Sequence, residues 1–295
     1  MHKAAIVSLG CSRNLTDSEV ILGYAHKAGF RVVDVDDSPD VLIVNTCAFI
    51  DAARKESIEA IAEAVRLKTG GSVKKVVVSG CLPQMYGKHP GSLPNGVDLV
   101  IGTSDLPAIG RHIRRLFTIR RAAASEISDK LDFIYSERSP RVLMTPPHYA
   151  FVKISEGCDN HCSYCVIPRL RGRFRSRSIR SVAREMEMLS ADGRLKEVNL
   201  IGQDTTLFGM DRYGRAAFPE LLNRLCRLEN SVRWIRILYT HPAHYSDELI
   251  SVIAGQPKIC KYLDLPIQHI NDRLLRSMNR RTTKKKIVGL ISKLL

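Results

Sequence analysis

The chain has 295 residues, enough for two domains and a sizeable buried core. A hydrophobic share of 44% against 25% charged residues excludes a disordered chain, and no run of about eighteen apolar residues offers a membrane-spanning helix. The formal net charge of +15 favours polyanionic partners such as RNA or a ribonucleoprotein surface, the alternative being a basic solvated surface with no partner.

Residues 1–9 are apolar only briefly and read as a first strand rather than a signal peptide, which points to the cytoplasm. In that reducing compartment the eight cysteines are metal ligands, catalytic thiols or small core residues rather than disulfides.

In chain order, residues 4–9, 41–45, 76–79 and 97–101 have the continuous apolar character of strands buried on both faces. Helical spacing between them covers 17–28 and 51–67, the second with Ile58, Ile61 and Val65 on one stripe. This alternation predicts an α/β domain over 1–119 with a doubly wound parallel sheet. Residues 120–147 are charged and irregular, close on Pro146-Pro147, and read as a linker.

A second strand-then-helix series fills 148–295. Strands are expected at 150–154, 197–201, 234–238 and 262–265, with helices at 181–191, 219–228 and 246–254. The rhythm is that of a partial (β/α) barrel, whose chemistry sits at the carboxyl ends of its strands.

Six cysteines form two sets. Cys158, Cys162 and Cys165 have C-x3-C-x2-C spacing in a loop directly after a strand, where three soft thiolates can surround one iron–sulfur cluster or a zinc ion. A structural zinc wants a fourth protein ligand, and His161 is awkwardly placed between its neighbours to supply it. Three thiolates on a four-iron cube leave one iron open. Cys11, Cys47 and Cys81 lie 36 and 34 residues apart, each one or two residues past the carboxyl end of an expected parallel strand. Those ends share one sheet edge, where ligands usually bind, so the three thiols can converge; buried structural cysteines are the alternative. Cys226 shares an apolar helix face with Leu222 and Leu225 and reads as core, and Cys260 has no such setting.

The C-x3-C-x2-C loop, with Tyr164 before its last cysteine, resembles the radical S-adenosylmethionine (SAM) signature. Ser8-Leu9-Gly10-Cys11, Asn45-Thr46-Cys47 and Ser79-Gly80-Cys81 resemble the three cysteine motifs of the radical SAM methylthiotransferases. That resemblance covers essentially the whole chain. It implies two 4Fe-4S clusters, one at Cys11, Cys47 and Cys81 and one at Cys158, Cys162 and Cys165, with SAM on the open iron of the second. It places Tyr164 near the adenine and marks Gln203 and Asp204 as cofactor-binding candidates.

Within the family, Asn45-Thr46-Cys47-Ala48-Phe49-Ile50-Asp51 and Gly202-Gln203-Asp204-Thr205-Thr206 look like the branch that modifies ribosomal protein S12. The alternative is the tRNA branch with the same chemistry; a zinc-stapled RNA-binding protein is the rival of another class. The ribosomal-protein branch implies transfer of a methylthio group to the β-carbon of a conserved aspartate. One SAM methylates a sulfur on the first cluster; a second is cleaved to methionine and a 5′-deoxyadenosyl radical that removes the hydrogen. It also implies an electron donor such as flavodoxin or ferredoxin, contact with S12 or the small ribosomal subunit, and no membrane. Family members continue through further barrel strands and a small C-terminal β domain, both missing here.

No catalytic side chain is nominated; His241 and His269 read equally well as hydrogen-bonded histidines. Arg169, Arg171, Arg173, Arg175 and Arg177 alternate just after the cysteine loop, and in an extended segment would form one guanidinium stripe for a partner. Arg276, Arg280, Arg281, Lys284, Lys285 and Lys286 form a second basic cluster.

Overall fold

The N-terminal apolar runs pair side by side because Val, Ile and Leu on both faces of a strand demand cover from helices on each side. In the computed structural model, which describes residues 1–86, 93–119 and 124–295, the elements are β1 (Lys3–Ser8), α1 (Ser12–Lys27), β2 (Arg31–Val32), β3 (Val41–Thr46) and α2 (Asp51–Thr69). They continue with β4 (Lys75–Gly80), α3 (Cys81–Tyr86), β5 (Leu99–Ile101), α4 (Ile109–Thr118) and β6 (Ala124–Glu126). The six strands form one parallel sheet in the order β2-β1-β3-β4-β5-β6. Every residue of β3 is buried. α1 and α4 pack together over Ala4, Ile43, Val77 and Ile101, while α2 packs on β3 and β4.

The strand order reverses between β1 and β3. Their carboxyl ends flank a topological switch point, where the crossover connections part to opposite sides and leave a crevice. Cys11 and Cys47 sit at those two ends, and Cys81 follows the next strand, β4.

The segment 120–147 departs from the linker expectation, although its first residues, 120–123, lie outside the described residues. β6 adds to the sheet edge beside β5, Tyr135 is buried, and Glu19 binds the stretch through Arg141 and the backbone amides of Val142 and Met144. A buried carboxylate on α1 needs such partners, and this stretch supplies them. The unit runs from Met1 to Met144 and also includes Arg169–Arg171.

The second unit comprises Thr145–Pro168 and Gly172–Leu295. Along this part of the chain run β7 (Tyr149–Lys153), β8 (Ser155–Glu156), α5 (Ile167–Arg171, whose last three residues belong to the first unit), β9 (Arg175–Ser176), α6 (Ile179–Leu189), β10 (Glu197–Ile201) and α7 (Met210–Tyr213). They continue with α8 (Phe218–Cys226), β11 (Trp234–Ile237), α9 (Asp247–Gly255), β12 (Ile259–Leu263), α10 (Asp272–Ser277) and α11 (Lys284–Leu294). Four parallel strands lie in the order β12-β11-β10-β7, and β8 pairs antiparallel with β9. Val182, Met186, Leu221, Leu225 and Ile253 from α6, α8 and α9 bury the apolar face against Val152, Val198, Leu200 and Ile235. Cys226 is partly buried against this core. Side chains of Ser178, Ser246 and Thr283 cap the first turns of α6, α9 and α11.

The alternating arginines do not form a stripe. Arg169 and Arg171 lie on α5, whose helical turn breaks the period of two; Arg171 and Arg177 are buried in ion pairs with Asp17 and Glu185. Arg175 is half-buried, leaving Arg169 and Arg173 exposed. In the second basic cluster, Arg280 is buried as well. Among the described residues, no helix is long and apolar enough to cross a membrane.

Candidate metal centres

The first set of thiols is assembled by the ends of three strands. Cys11 is the residue before α1, Cys47 follows β3, and Cys81 opens α3. Gly10 has φ +87°, and a Cβ there would stand 2.7 Å from Cβ of Cys47 and 3.0 Å from its Sγ. A bare backbone at position 10 is what lets the Cys11 and Cys47 loops touch.

Asn14 braces the loops from beneath: its Nδ2 donates to the carbonyl of Leu9 at 2.6 Å and to those of Asn45 and Thr46 at 3.3 Å. Ser57 accepts from the Cys47 amide at 3.0 Å and donates to the Cys47 carbonyl at 2.8 Å. Thr46 Oγ1 donates to the Ser79 carbonyl at 2.6 Å, joining β3 to β4.

Charge favours thiolates here. Arg171 is buried, forms an ion pair with Asp17, and lies with Nη2 3.3 Å from Sγ of Cys81. Burial opposes ionisation of Cys11, but Arg13, the Asn14 amide and Arg171 outweigh it and hold this thiol below its usual value. Burial pushes the Cys81 thiol up despite Arg171, with the charges of Cys11 and Cys47 adding to the rise.

The second set occupies the loop between β8 and α5. Gly157 has φ +79°, and a Cβ there would collide with the Arg173 carbonyl at 2.1 Å, so the chain turns out of β8 only through glycine. The Cys158 amide donates to the Gly172 carbonyl at 3.2 Å and that of Cys165 to the Cys162 carbonyl at 3.0 Å. Asn160 Nδ2 donates to Asp204 Oδ2 at 2.7 Å and reaches Cys158 Sγ at 3.4 Å.

The turn after α10 covers the same loop. Asn279 Nδ2 donates to the His161 carbonyl at 2.9 Å, the Ser163 amide to the Met278 carbonyl at 3.0 Å, and Arg280 Nη1 lies 3.8 Å from Cys162 Sγ. Burial, helped by Asp204 and Cys165 against the Asn160 hydrogen bonds, pushes Cys158 up to about 11. Such a thiol sheds its proton at neutral pH only when a metal replaces it.

Around this loop lies a buried polar shell. Lys153 Nζ donates to Glu156 Oε2 at 2.6 Å, and Gln203 Nε2 donates to the other oxygen of Glu156. Asp204 accepts from Asn160 and Thr206, and its Oδ2 lies 2.8 Å from His244 Nδ1. Burial works against the Asp204 carboxylate, yet His244 and the Thr206 hydroxyl hold it below its usual value.

His241 stacks on His244 with ring centroids 4.7 Å apart, and burial followed by Arg280 drives its pKa down to about 4. Asp204, His241 and His244 offer ligand atoms within 4.8 Å of one another, but Asp204 already spends both oxygens on Asn160, Thr206 and His244. Among the described residues, the buried atoms without a hydrogen-bond partner include Ser155 Oγ, Gln203 Oε1, His241 Nε2 and Arg280 Nε. Leaving them so costs roughly 1–3 kcal/mol each, which a polar ligand would relieve.

The donor sets fit iron–sulfur chemistry. All eight cysteines are free, and each converging set offers three soft thiolates without an adjacent fourth cysteine. The orphaned donors and acceptors fit a polar cofactor beside the second set. Tyr164 is half exposed within reach of Cys162 and Arg280, while His269 accepts from the Asn271 amide through Nδ1 and stands as a local turn residue. Asn160 and His244 are not singled out in the sequence, while Arg171 and Arg280 read there as surface cations. The His241-x-x-His244 spacing and the place of Asn160 inside the cysteine loop are visible signals; the roles of Arg171 and Arg280 depend on contacts distant in sequence.

Residues 3–102 match the model of a family described as uncharacterized protein family UPF0004, and 152–295 match the radical SAM superfamily. A protein of Heliobacterium modesticaldum named ribosomal protein uS12 methylthiotransferase RimO is 45% identical over 290 residues, 98% of this chain and 62% of that protein. One of the same name from Desulfitobacterium hafniense is 42% identical over 99% of this chain and 64% of that protein. The chain therefore spans under two thirds of their length.

Among solved structures, the radical SAM methyltransferase TsrM from Kitasatospora setae superposes with a TM-score of 0.69 at 16% identity, covering 99% of this chain and 65% of that one. The cobalamin-dependent radical SAM enzyme OxsB gives 0.64 at 10% identity, covering all of this chain and 48% of that one. Both show a shared fold. The two matched family models and the near-complete alignment to RimO proteins lead to one assignment: the chain belongs to the radical SAM superfamily and, within it, to the RimO-type methylthiotransferase family.

Proposed function

We propose that the chain is the two-cluster part of a methylthiotransferase acting on the β-carbon of an aspartate in ribosomal protein S12, in the cytoplasm. The observation that carries this reading is the pair of three-thiol sets, Cys11/Cys47/Cys81 and Cys158/Cys162/Cys165, each built at strand ends by its own unit. A single radical SAM function would need only the second set. When bound, a 4Fe-4S cluster with SAM at the second set supplies the one-electron chemistry that breaks an unactivated C–H bond, and a cluster at the first set supplies the sulfur.

The protein's own residues position and shield. Asn160 ties the Cys158 loop to Asp204, so the thiols and the polar shell move as one. Gln203, Ser155, His241 and Arg280 present unspent donors and acceptors suited to the amino, carboxylate and hydroxyl groups of SAM. Tyr164, half exposed and near Cys162, offers an aromatic face to the adenine in this reading. His241, neutral at pH 7, accepts from the Ala243 amide at Nδ1 and so offers its Nε2 hydrogen as a donor without adding charge. The exposed Arg169 and Arg173 and the net charge of +15 suit a ribosome-bound target, and the reading includes an electron donor such as flavodoxin or ferredoxin.

The test has two arms. Anaerobically reconstituted protein should carry about eight irons, falling to about four in the Cys158→Ala/Cys162→Ala/Cys165→Ala variant. Four in the parent and none in the variant would leave one cluster and sink the methylthiotransferase reading. With SAM and dithionite, S12 should gain the mass of a methylthio group in place of hydrogen. Modification of tRNA with S12 untouched would move the chain to the tRNA branch.

A further inference from the structure

Arg171 reads in the sequence as one of five alternating surface arginines, yet it is 4% exposed and sits against the first thiol set. Its guanidinium pairs with buried Asp17, lies 3.3 Å from Asn14 Oδ1 and approaches Cys81 Sγ at 3.3 Å. Asn14 is the residue whose amide braces the Cys11 and Cys47 loops, so one fork joins the carboxylate, the brace and a thiol. The charge of Arg171 acts on Cys11 as well as Cys81. A buried guanidinium is costly to place, and its planar donors are fully charged at any ordinary pH.

We propose that Arg171 is a positioning residue of the Cys11/Cys47/Cys81 centre: anchored by Asp17 and Asn14, it donates to the Cys81 sulfur and raises the reduction potential of a cluster bound there. This rests on the reading that these cysteines hold a cluster. Adding an electron makes a cluster more negative, so a nearby fixed positive charge and a hydrogen bond to a ligand sulfur both favour the reduced form. Removing them lowers the potential.

The experiment uses the full chain carrying Cys158→Ala/Cys162→Ala/Cys165→Ala, so that only the first set holds iron, reduced stepwise with dithionite and followed by electron paramagnetic resonance. Arg171→Met alone takes the cation away from the buried Asp17 carboxylate, so Arg171→Met/Asp17→Asn is the main variant; it removes both charges and keeps similar volume. Its reduction equilibrium should fall about tenfold, ~59 mV for one electron, with iron content and far-ultraviolet circular dichroism unchanged. Asp17→Asn alone, which leaves the cation uncompensated, should shift the potential the other way. A wild-type potential in the double variant would overturn the proposal and reduce Arg171 to a packing role. No iron in the parent of this series would overturn the cluster reading itself, and the proposal with it.

Discussion

Gly10 shows how much of a site can depend on a missing side chain. Its φ of +87° and the 2.7 Å approach of a would-be Cβ to Cys47 make alanine doubly wrong there. Gly10→Ala should cost about 1–3 kcal/mol in chemical denaturation. It should also lower iron retention at the first set, since the strain falls directly on a ligand loop. An unchanged iron content would mean that the Cys11 and Cys47 loops can part without harm.

His241 makes a pH prediction. Its pKa falls from the ordinary 6.5 to about 4 on folding, so between these values the unfolded chain binds the extra proton. The stability contributed by keeping this ring neutral is therefore complete above about pH 6.5 and is lost as pH falls toward 4. Asp204, held low, adds a loss in the same direction at still lower pH. Across the window the His241 share is on the order of 2–3 kcal/mol. His241→Gln should flatten that part of a urea-denaturation pH profile, and an unchanged slope would count against the buried neutral ring.

At the scale of elements, the strands at 4–9, 41–45 and 76–79 were legible because a strand covered on both faces is written as a nearly unbroken apolar run, and 197–201 from the strand-then-helix rhythm. The structure places them at Lys3–Ser8, Val41–Thr46, Lys75–Gly80 and Glu197–Ile201. β12 begins at Ile259, three residues before the expected start, since Lys258, Cys260 and Lys261 dilute its apolar signal. α4 carries a stripe of Ile109, Ile113 and Leu116 that three arginines disguised. The two-residue strands β2, β8 and β9 have no periodicity to read.

The arginine segment is the instructive error. Alternation licenses a common face only in extended chain, and α5 supplies a helical turn instead. Arg177 is consequently a structural residue: its Nη1 reaches Glu185 on α6 and, at 3.0 Å, the Lys153 carbonyl at the end of β7. Arg177→Ala should cost about 3–5 kcal/mol by taking the buried cation away from the Glu185 carboxylate. Arg173→Ala, at an exposed position, should stay within about 0.5 kcal/mol. Similar losses for both would restore the surface stripe.

At the scale of the whole molecule, the first unit has its own sheet and core but borrows Arg169–Arg171 from later in the chain. A fragment of residues 1–144 should therefore unfold cooperatively yet fall short of the stability of this unit in the full chain, because Asp17 loses its cation. Asp17→Asn in the fragment should recover part of that difference, roughly 1–3 kcal/mol, measured by denaturant midpoint. No recovery would mean that Asp17 finds water or another partner once Arg171 is gone.

Composition, strand patterning and cysteine spacing by themselves left structural cysteines as the alternative for Cys11, Cys47 and Cys81, but determined the α/β class, the two series of strands and the C-x3-C-x2-C grouping. These are local or periodic properties, since a strand buried on both faces and a C-x3-C-x2-C loop are each written in contiguous residues. Only the tertiary structure decided which charged and polar residues stand inside. Arg171, Arg177 and Arg280 differ little from their exposed neighbours in sequence, and the partners that bury them lie 8 to 154 residues away. Burial of a charge is settled by the partner that meets it in space, and a single chain read in order does not carry that distance.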